Sequence, residues 1–352
     1  MENPKPKHES SKTPINRRIF LGLLAGAAAA IAGIISFDSI LPKNARPETS
    51  TLATVASRTF TNTAPYTDAV SSQQNRVRVV VVKGSATVDP QVLIDKALEA
   101  LGGVERLLPT GASILVKPNV GFYEKDATTD PRITAAVIEA LKQARPSEIV
   151  VGESALRGID VDQALQVSGT RNLAEAAGAE VRDLRKDAVA NVEVPNGLAL
   201  KSVNVFRTAR DSFIVSVPRL KRHAETTVTI SLKNMMGTIP DSEKARFHQG
   251  NLSQCIADLN MALRPRLVII DATKAMTERG PTGGIMVDLN EVFASTDPVA
   301  ADIVAAQELF LAEGVADARS AASSVSHIQN AAQLGIGVSD LSKIEVLRLS
   351  VG

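Results

Sequence analysis

Short apolar runs rich in β-branched residues, separated by stretches of helical periodicity, constrain this chain more than any other feature. Residues 77–82 read VRVVVV, and 113–116, 148–151, 180–184, 266–270 and 344–349 carry further strand-like runs. A run apolar at successive positions belongs to a strand buried on both faces, as in a parallel sheet covered by helices. The intervening stretches start as helices should. Asp89-Pro90, Asp130-Pro131 and Asp297-Pro298 each place an N-cap side chain before a proline at the first helical position. Behind them, Leu93, Ala97 and Leu101, then Ile133, Val137 and Leu141, then Val299, Ile303 and Phe310 each fall on one helical face. Leu252, Ile256, Leu259 and Leu263 predict another helix, and 321–334 a further one. Strand–helix alternation implies right-handed crossovers and an α/β fold: a mainly parallel sheet with flanking helices. Residues 192–217 alternate at shorter range without helical periodicity and read as an antiparallel excursion.

The N-terminus obeys other rules. Asn16-Arg17-Arg18-Ile19-Phe20-Leu21 is a twin-arginine pattern followed by the apolar run 21–35, which predicts that 1–35 is a Tat-type export signal or N-terminal anchor. Residues 36–75, rich in Ser, Thr, Pro and Asn, predict a flexible tether. The globular part is then 76–352, one large α/β domain or two lobes. The expected location is exported, periplasmic or extracytoplasmic, with the Tat translocase as partner and membrane contact only through the N-terminal segment. A net charge of +1 argues against nucleic-acid binding, and the single Cys255 excludes an intrachain disulfide or a cysteine-rich metal site.

In open α/β sheets, ligands bind beyond the carboxyl ends of strands. Polar residues expected there are Lys117 and Asn119, Glu153 and Ser154, Lys233 and Asn234, and Asp271 and Lys274. The segment 217–250 adds Arg219, Lys221, Arg222, His223 and His248, with imidazoles suited to proton transfer near neutrality or to metal ligation. Residues 226–232 read as a buried strand. Ten extended residues span ~33 Å, so His223 and Lys233 meet only if the chain bends between His223 and Thr227. The turn Gly280-Pro281-Thr282-Gly283-Gly284 can present backbone N–H groups to an anion or serve as a plain tight turn. His327 reads as structural.

Val116-Lys117-Pro118-Asn119, Val217-Pro218 with Lys221 and His223, Leu232-Lys233-Asn234 with Gly237 and His248, Asp271 with Gly280-Pro281 and Gly284, and Asp297-Pro298 with Asp302 together resemble the DUF362 family over roughly 77–337. Some members of that family carry ferredoxin-like cysteine clusters, which this chain lacks. His223, Lys233 and His248 also fall at a spacing similar to the site of the nickel-pincer lactate racemase family. There a lysine tethers the cofactor, and a histidine ligates nickel or moves the proton. The glycine-rich stretch of that family is replaced here by AETTVTISL. The expectation is an exported α/β enzyme acting on a small carboxylate or phosphate. Lys233, His248 and His223 are its candidate catalytic groups, and Lys117, Asn119, Arg222, Asn234, Asp271, Gly283 and Gly284 its ligand-binding groups. His223 and His248 are the candidate ligands of a transition metal (nickel, zinc or iron), and isomerase- or racemase-like proton transfer is the candidate chemistry. The alternative is a non-catalytic periplasmic protein that binds a ligand, metal or cofactor.

Overall fold

The computed structural model describes residues 76–352; the twin-arginine pattern, the apolar run and the tether lie outside the described residues. Twelve strands are described: β1 (Val77–Lys83), β2 (Ser113–Pro118), β3 (Glu148–Glu153), β4 (Glu180–Asp183), β5 (Val189–Glu193), β6 (Ser202–Phe206), β7 (Phe213–Val217), β8 (Arg219–His223), β9 (Thr227–Thr229), β10 (Leu267–Thr277), β11 (Ile285–Ser295) and β12 (Ile344–Ser350). Ten form one sheet in the order β12-β1-β11-β10-β7-β2-β3-β4, with β8 also paired to β10 and β9 to β8. Pairing is parallel except at β1–β11, β10–β11 and β8–β9. The fold is therefore the expected α/β one with a mainly parallel sheet. The excursion is the separate antiparallel β5–β6 ribbon, and β7, expected within it, joins the main sheet in parallel.

The continuous apolar runs follow from burial on both sides. Val80, Val82, Ile114 and Val116 pack in the core under the helices Pro90–Ala100 and Pro131–Leu141. Val79, Val81 and Leu115 face the opposite core with the helices Leu252–Ala262, Pro298–Ala312 and Ser326–Gln333. Asp89, Asp130 and Asp297 cap their helices through side-chain bonds to backbone N–H groups, each stabilising by about 1 kcal/mol. The stretch expected as one helix over 321–334 is two, Ala318–Ser323 and Ser326–Gln333. Among the described residues no helix is long and apolar enough to cross a membrane.

Two departures shape the site. β10 does not stop at Ile270 but runs on to Thr277 and returns as β11; the outer half of that hairpin is interrupted by Asp271, Thr273, Lys274, Asp288 and Asn290, so no continuous apolar run marks it. The strand expected over 226–232 is also much shorter. β8 reverses into β9 across residues 224–226, with Thr227 at φ 68°. The chain then turns into the one-turn helix Ser231–Asn234. The fully buried Asp302 stops the strand, because its carboxylate accepts from the Ser231 and Leu232 N–H groups (2.9 Å each), the free donors of that helical turn. Burial pushes the Asp302 carboxyl up to about 8.

Candidate functional site

Two successive reversals bring together residues that an extended chain would hold far apart. In the β8–β9 pairing, Lys221 lies opposite Thr229 and His223 opposite Thr227. Side chains alternate along a strand, so Lys221, His223, Thr227 and Thr229 share one face of this hairpin and Arg222 takes the other. Lys233 follows on the short helix, close enough for its charge to be the largest electrostatic influence on both His223 and Lys221.

The two lysines are buried without a direct ion-pair partner among the described residues. Lys221 is 1% and Lys233 9% exposed. Lys221 Nζ donates to the Ala127 carbonyl (2.5 Å) and lies 5.3 Å from the centre of the Phe122 ring. Lys233 Nζ has a single hydrogen-bond partner among the described residues, the Met236 Sδ at 3.6 Å. Among the described residues no carboxylate lies within ion-pair distance of either. Burial lowers Lys233 to about 8, against a weaker opposing pull from Glu225. Burial, then the neighbouring Lys233 and Arg219 charges, lower Lys221 to about 7.

His223 is held as a neutral imidazole. Its Nδ1 accepts from the Glu225 (3.1 Å) and Thr226 (3.3 Å) N–H groups, so the ring proton resides on Nε2, which is a donor. Burial, then the Lys233 and Lys221 charges, lower its pKa to about 3. His248, on the helix Asp241–Gln249, is exposed at the rim with its Nδ1 3.0 Å from Glu225 Oε2. His327 is fully buried, and neither ring nitrogen has a partner among the described residues.

Beside this cluster lies a lysine handled differently. Lys117, fully buried, directs Nζ to Glu153 Oε2 (2.8 Å), the Pro118 carbonyl (2.7 Å) and Asn234 Oδ1 (3.3 Å). All three ammonium protons are thus engaged within the protein. Asn234 Nδ2 in turn donates to the Lys117 carbonyl and Ser216 Oγ, and Asn119 Nδ2 reaches Asn234 Oδ1 at 3.3 Å. Gly237 closes over this pair: a Cβ there would lie 2.1 Å from Glu153 Oε1 and 2.4 Å from Lys117 Cε.

The remaining expected residues lie elsewhere. Arg222, on the back of the hairpin, pairs with Glu313 (3.3 Å) and stacks on Phe310. Asp271 is fully buried and occupied, accepting from Arg219 Nη1 (3.0 Å), the Asp130 N–H (2.7 Å) and Thr273. Gly283 and Gly284 belong to the β10–β11 connection, where Gly284 leaves no room for a Cβ beside the Arg279 carbonyl. The site does not fit a resident metal. Among the described residues no three His, Cys, Asp or Glu side chains converge on one point. His223 also offers a protonated Nε2, and ligating through it would break both bonds to Nδ1.

Glu153 and Lys221 were named from sequence only as members of the strand ends and of the cationic segment, and Glu225, Thr229 and His327 were not singled out as site residues at all. Lys221 was legible, since two residues of strand separate it from His223 and put both on one face. Thr229 and His327 carry no such signal.

A family model described as a domain of unknown function, DUF362, matches residues 114–307, more than half of the chain. It takes in every residue named above except Phe310, Glu313 and His327. The chain is 25% identical over 217 residues to a thylakoid-associated protein of Synechocystis sp., the match covering 59% of this chain and 66% of that protein. A crystal structure of a protein from Thermotoga maritima aligns over 70% of this chain and 60% of that one, at 13% identity and a TM-score of 0.38. The chain spans less than two thirds of the length of each.

Proposed function

The chain belongs to the DUF362 family, and from that premise we propose that it binds a small anionic molecule, carrying a carboxylate or phosphate, between Lys221 and Lys233. One observation carries this reading: two buried ammonium groups, near enough for the charge of Lys233 to act on Lys221, have no direct ion-pair partner among the described residues. An isolated buried charge costs several kcal/mol, and a folded protein keeps one where a ligand supplies the opposite charge. The His223 Nε2–H adds a neutral donor. Lys233, titrating near 8, is suited to exchange a proton with the bound molecule, which supports proton transfer as the chemistry if the protein is an enzyme. The Arg17-Arg18 pattern and the apolar run behind it support export through the twin-arginine route.

Sulfate titration of the full-length protein, followed by calorimetry and by thermal midpoint, tests the binding reading. Saturable stabilisation that disappears in Lys233→Met is the expected result, and stabilisation of equal size in that variant removes the site. Export is tested by replacing Arg17 and Arg18 with lysine. The variant should accumulate in the cytoplasm, and unchanged export refutes the signal.

A further inference from the structure

Resting on the anion-binding reading, the donors around Lys233 point to what kind of anion fits. Buried polar side chains are almost always hydrogen-bonded, and an exception calls for an explanation. Two exceptions lie against this cluster. Thr229 is 4% exposed and its Oγ1 has no partner; it stands opposite Lys221 on the face that also carries His223. His327 is fully buried with both nitrogens unpartnered. Its helix, Ser326–Gln333, and the helix of Lys233 both pack on Leu252–Ala262 and Pro298–Ala312; the charge of Lys233 acts on His327, and that of His327 on His223. His248 and Glu225 of this cluster are exposed, whereas His327 and Thr229 are buried.

We propose that this cluster is built for a phosphoryl group, a dianionic tetrahedral oxyanion, with Thr229 Oγ–H and one ring N–H of His327 completing the set of donors begun by Lys221, Lys233 and His223. Donor count and charge decide against a monocarboxylate. Two ammonium groups call for two negative charges. Lys233 has free N–H groups, Lys221 has two beyond its bond to Ala127, and three neutral donors join them. A carboxylate presents two oxygens in one plane, whereas a phosphoryl group presents three or four directed in three dimensions.

Calorimetric titration of the full-length protein with inorganic phosphate, sulfate, glycerol phosphate and acetate tests this, using wild type, Thr229→Val and His327→Phe. Phosphate and sulfate should bind at least about tenfold more tightly than acetate. Each variant should lose about five- to tenfold in phosphate affinity. Without anion, the thermal midpoint of each variant should stay level or rise, because an unsatisfied polar group has been removed; a merely structural hydroxyl or imidazole would lower the midpoint and leave affinity alone. If His327→Phe does not fold, His327→Asn together with Thr229→Val carries the test. Tighter binding of glycerol phosphate than of phosphate identifies an ester ligand, and the reverse identifies the free ion; both support the proposal. Acetate binding as tight as sulfate, or variants within twofold of wild type, would overturn the phosphoryl assignment while leaving the anion site standing. Wild type that binds none of the four anions overturns both.

Discussion

Replacing Lys233 by methionine should stabilise the protein in the absence of ligand. Methionine has nearly the length and volume of the lysine stem and places an apolar end beside the Met236 thioether, the one hydrogen-bond partner Lys233 has among the described residues, at 3.6 Å. What is lost is a charge that the folded state disfavours. An exposed lysine titrates at 10.5 and Lys233 at about 8, with desolvation the leading cause. The unfolded chain therefore binds the proton more tightly, by about 2.5 decades. At about 1.4 kcal/mol per decade, holding the ammonium in the folded state costs about 3 kcal/mol at pH 7, about 2 at pH 9 and nearly nothing by pH 11. The sign follows: between the folded and unfolded values the unfolded state holds more protons, so wild-type stability climbs with pH and the advantage of the variant shrinks. Thermal melting of both proteins at pH 7, 9 and 10.5 measures it. A gain of about 5–10 °C at pH 7 that fades at high pH is the expected pattern. A variant that melts lower than wild type at pH 7, or a gain independent of pH, refutes the argument, because either result means that the ammonium is already compensated.

Three further outcomes are expected. Gly237→Ala drives a methyl group to 2.1 Å from Glu153 Oε1 and 2.4 Å from Lys117 Cε, so denaturation should show a loss of roughly 2–4 kcal/mol; a neutral effect would mean that the two side chains have room to withdraw. Glu153→Gln leaves the fully buried Lys117 ammonium without its 2.8 Å partner, a loss of roughly 3 kcal/mol, most of which the double variant with Lys117→Met should recover; equal losses in single and double variants would count against pairing as the cause. Sulfate affinity should fall by at least about tenfold from pH 7 to pH 9 as Lys221 and Lys233, titrating near 7 and 8, lose their protons, while sulfate keeps its charge; a flat profile in calorimetry removes the two lysines from the site.

The scaffold of this chain was legible because its signals are local and repeated. Apolar runs such as 77–82 stated that both faces are covered, and three Asp-Pro pairs marked helix starts that the structure reproduces. The site was legible only in part, since its assembly depends on contacts distant in sequence. Nothing between His223 and Lys233 announces the helical turn at Ser231–Asn234, because the group that stops the strand is Asp302, 71 residues from Ser231. For the same reason the ~33 Å separation of an extended segment vanished: the chain reverses after His223 and turns again at Ile230. Lys117 read as a cation available to a ligand, since its partner Glu153 ends the neighbouring strand rather than lying nearby in sequence. His327 read as structural because one histidine on an apolar helix usually is. Its missing hydrogen-bond partners are visible only once its surroundings are known.

Two buried lysines linked through Asn234, one bonded to it and the other next to it in sequence, act as an internal control for one another. Lys117 shows how this fold treats a lysine that serves structure: three acceptors, one of them a carboxylate, fill the ammonium completely. Lys233 lies next in sequence to Asn234, which belongs to that same network, yet it has only a thioether. Tolerance of buried charge in general would not produce this difference; a site awaiting an external counter-charge would. The comparison yields a direct test. Met236→Glu puts a carboxylate of similar length where the thioether stands, supplying from within what the ligand is argued to supply. The Lys233 pKa should then rise from about 8 toward that of an ordinary lysine, the thermal midpoint at pH 7 without anion should rise, and sulfate should lose its stabilising effect. If sulfate stabilises Met236→Glu as strongly as wild type, the uncompensated charge of Lys233 is not what the anion answers.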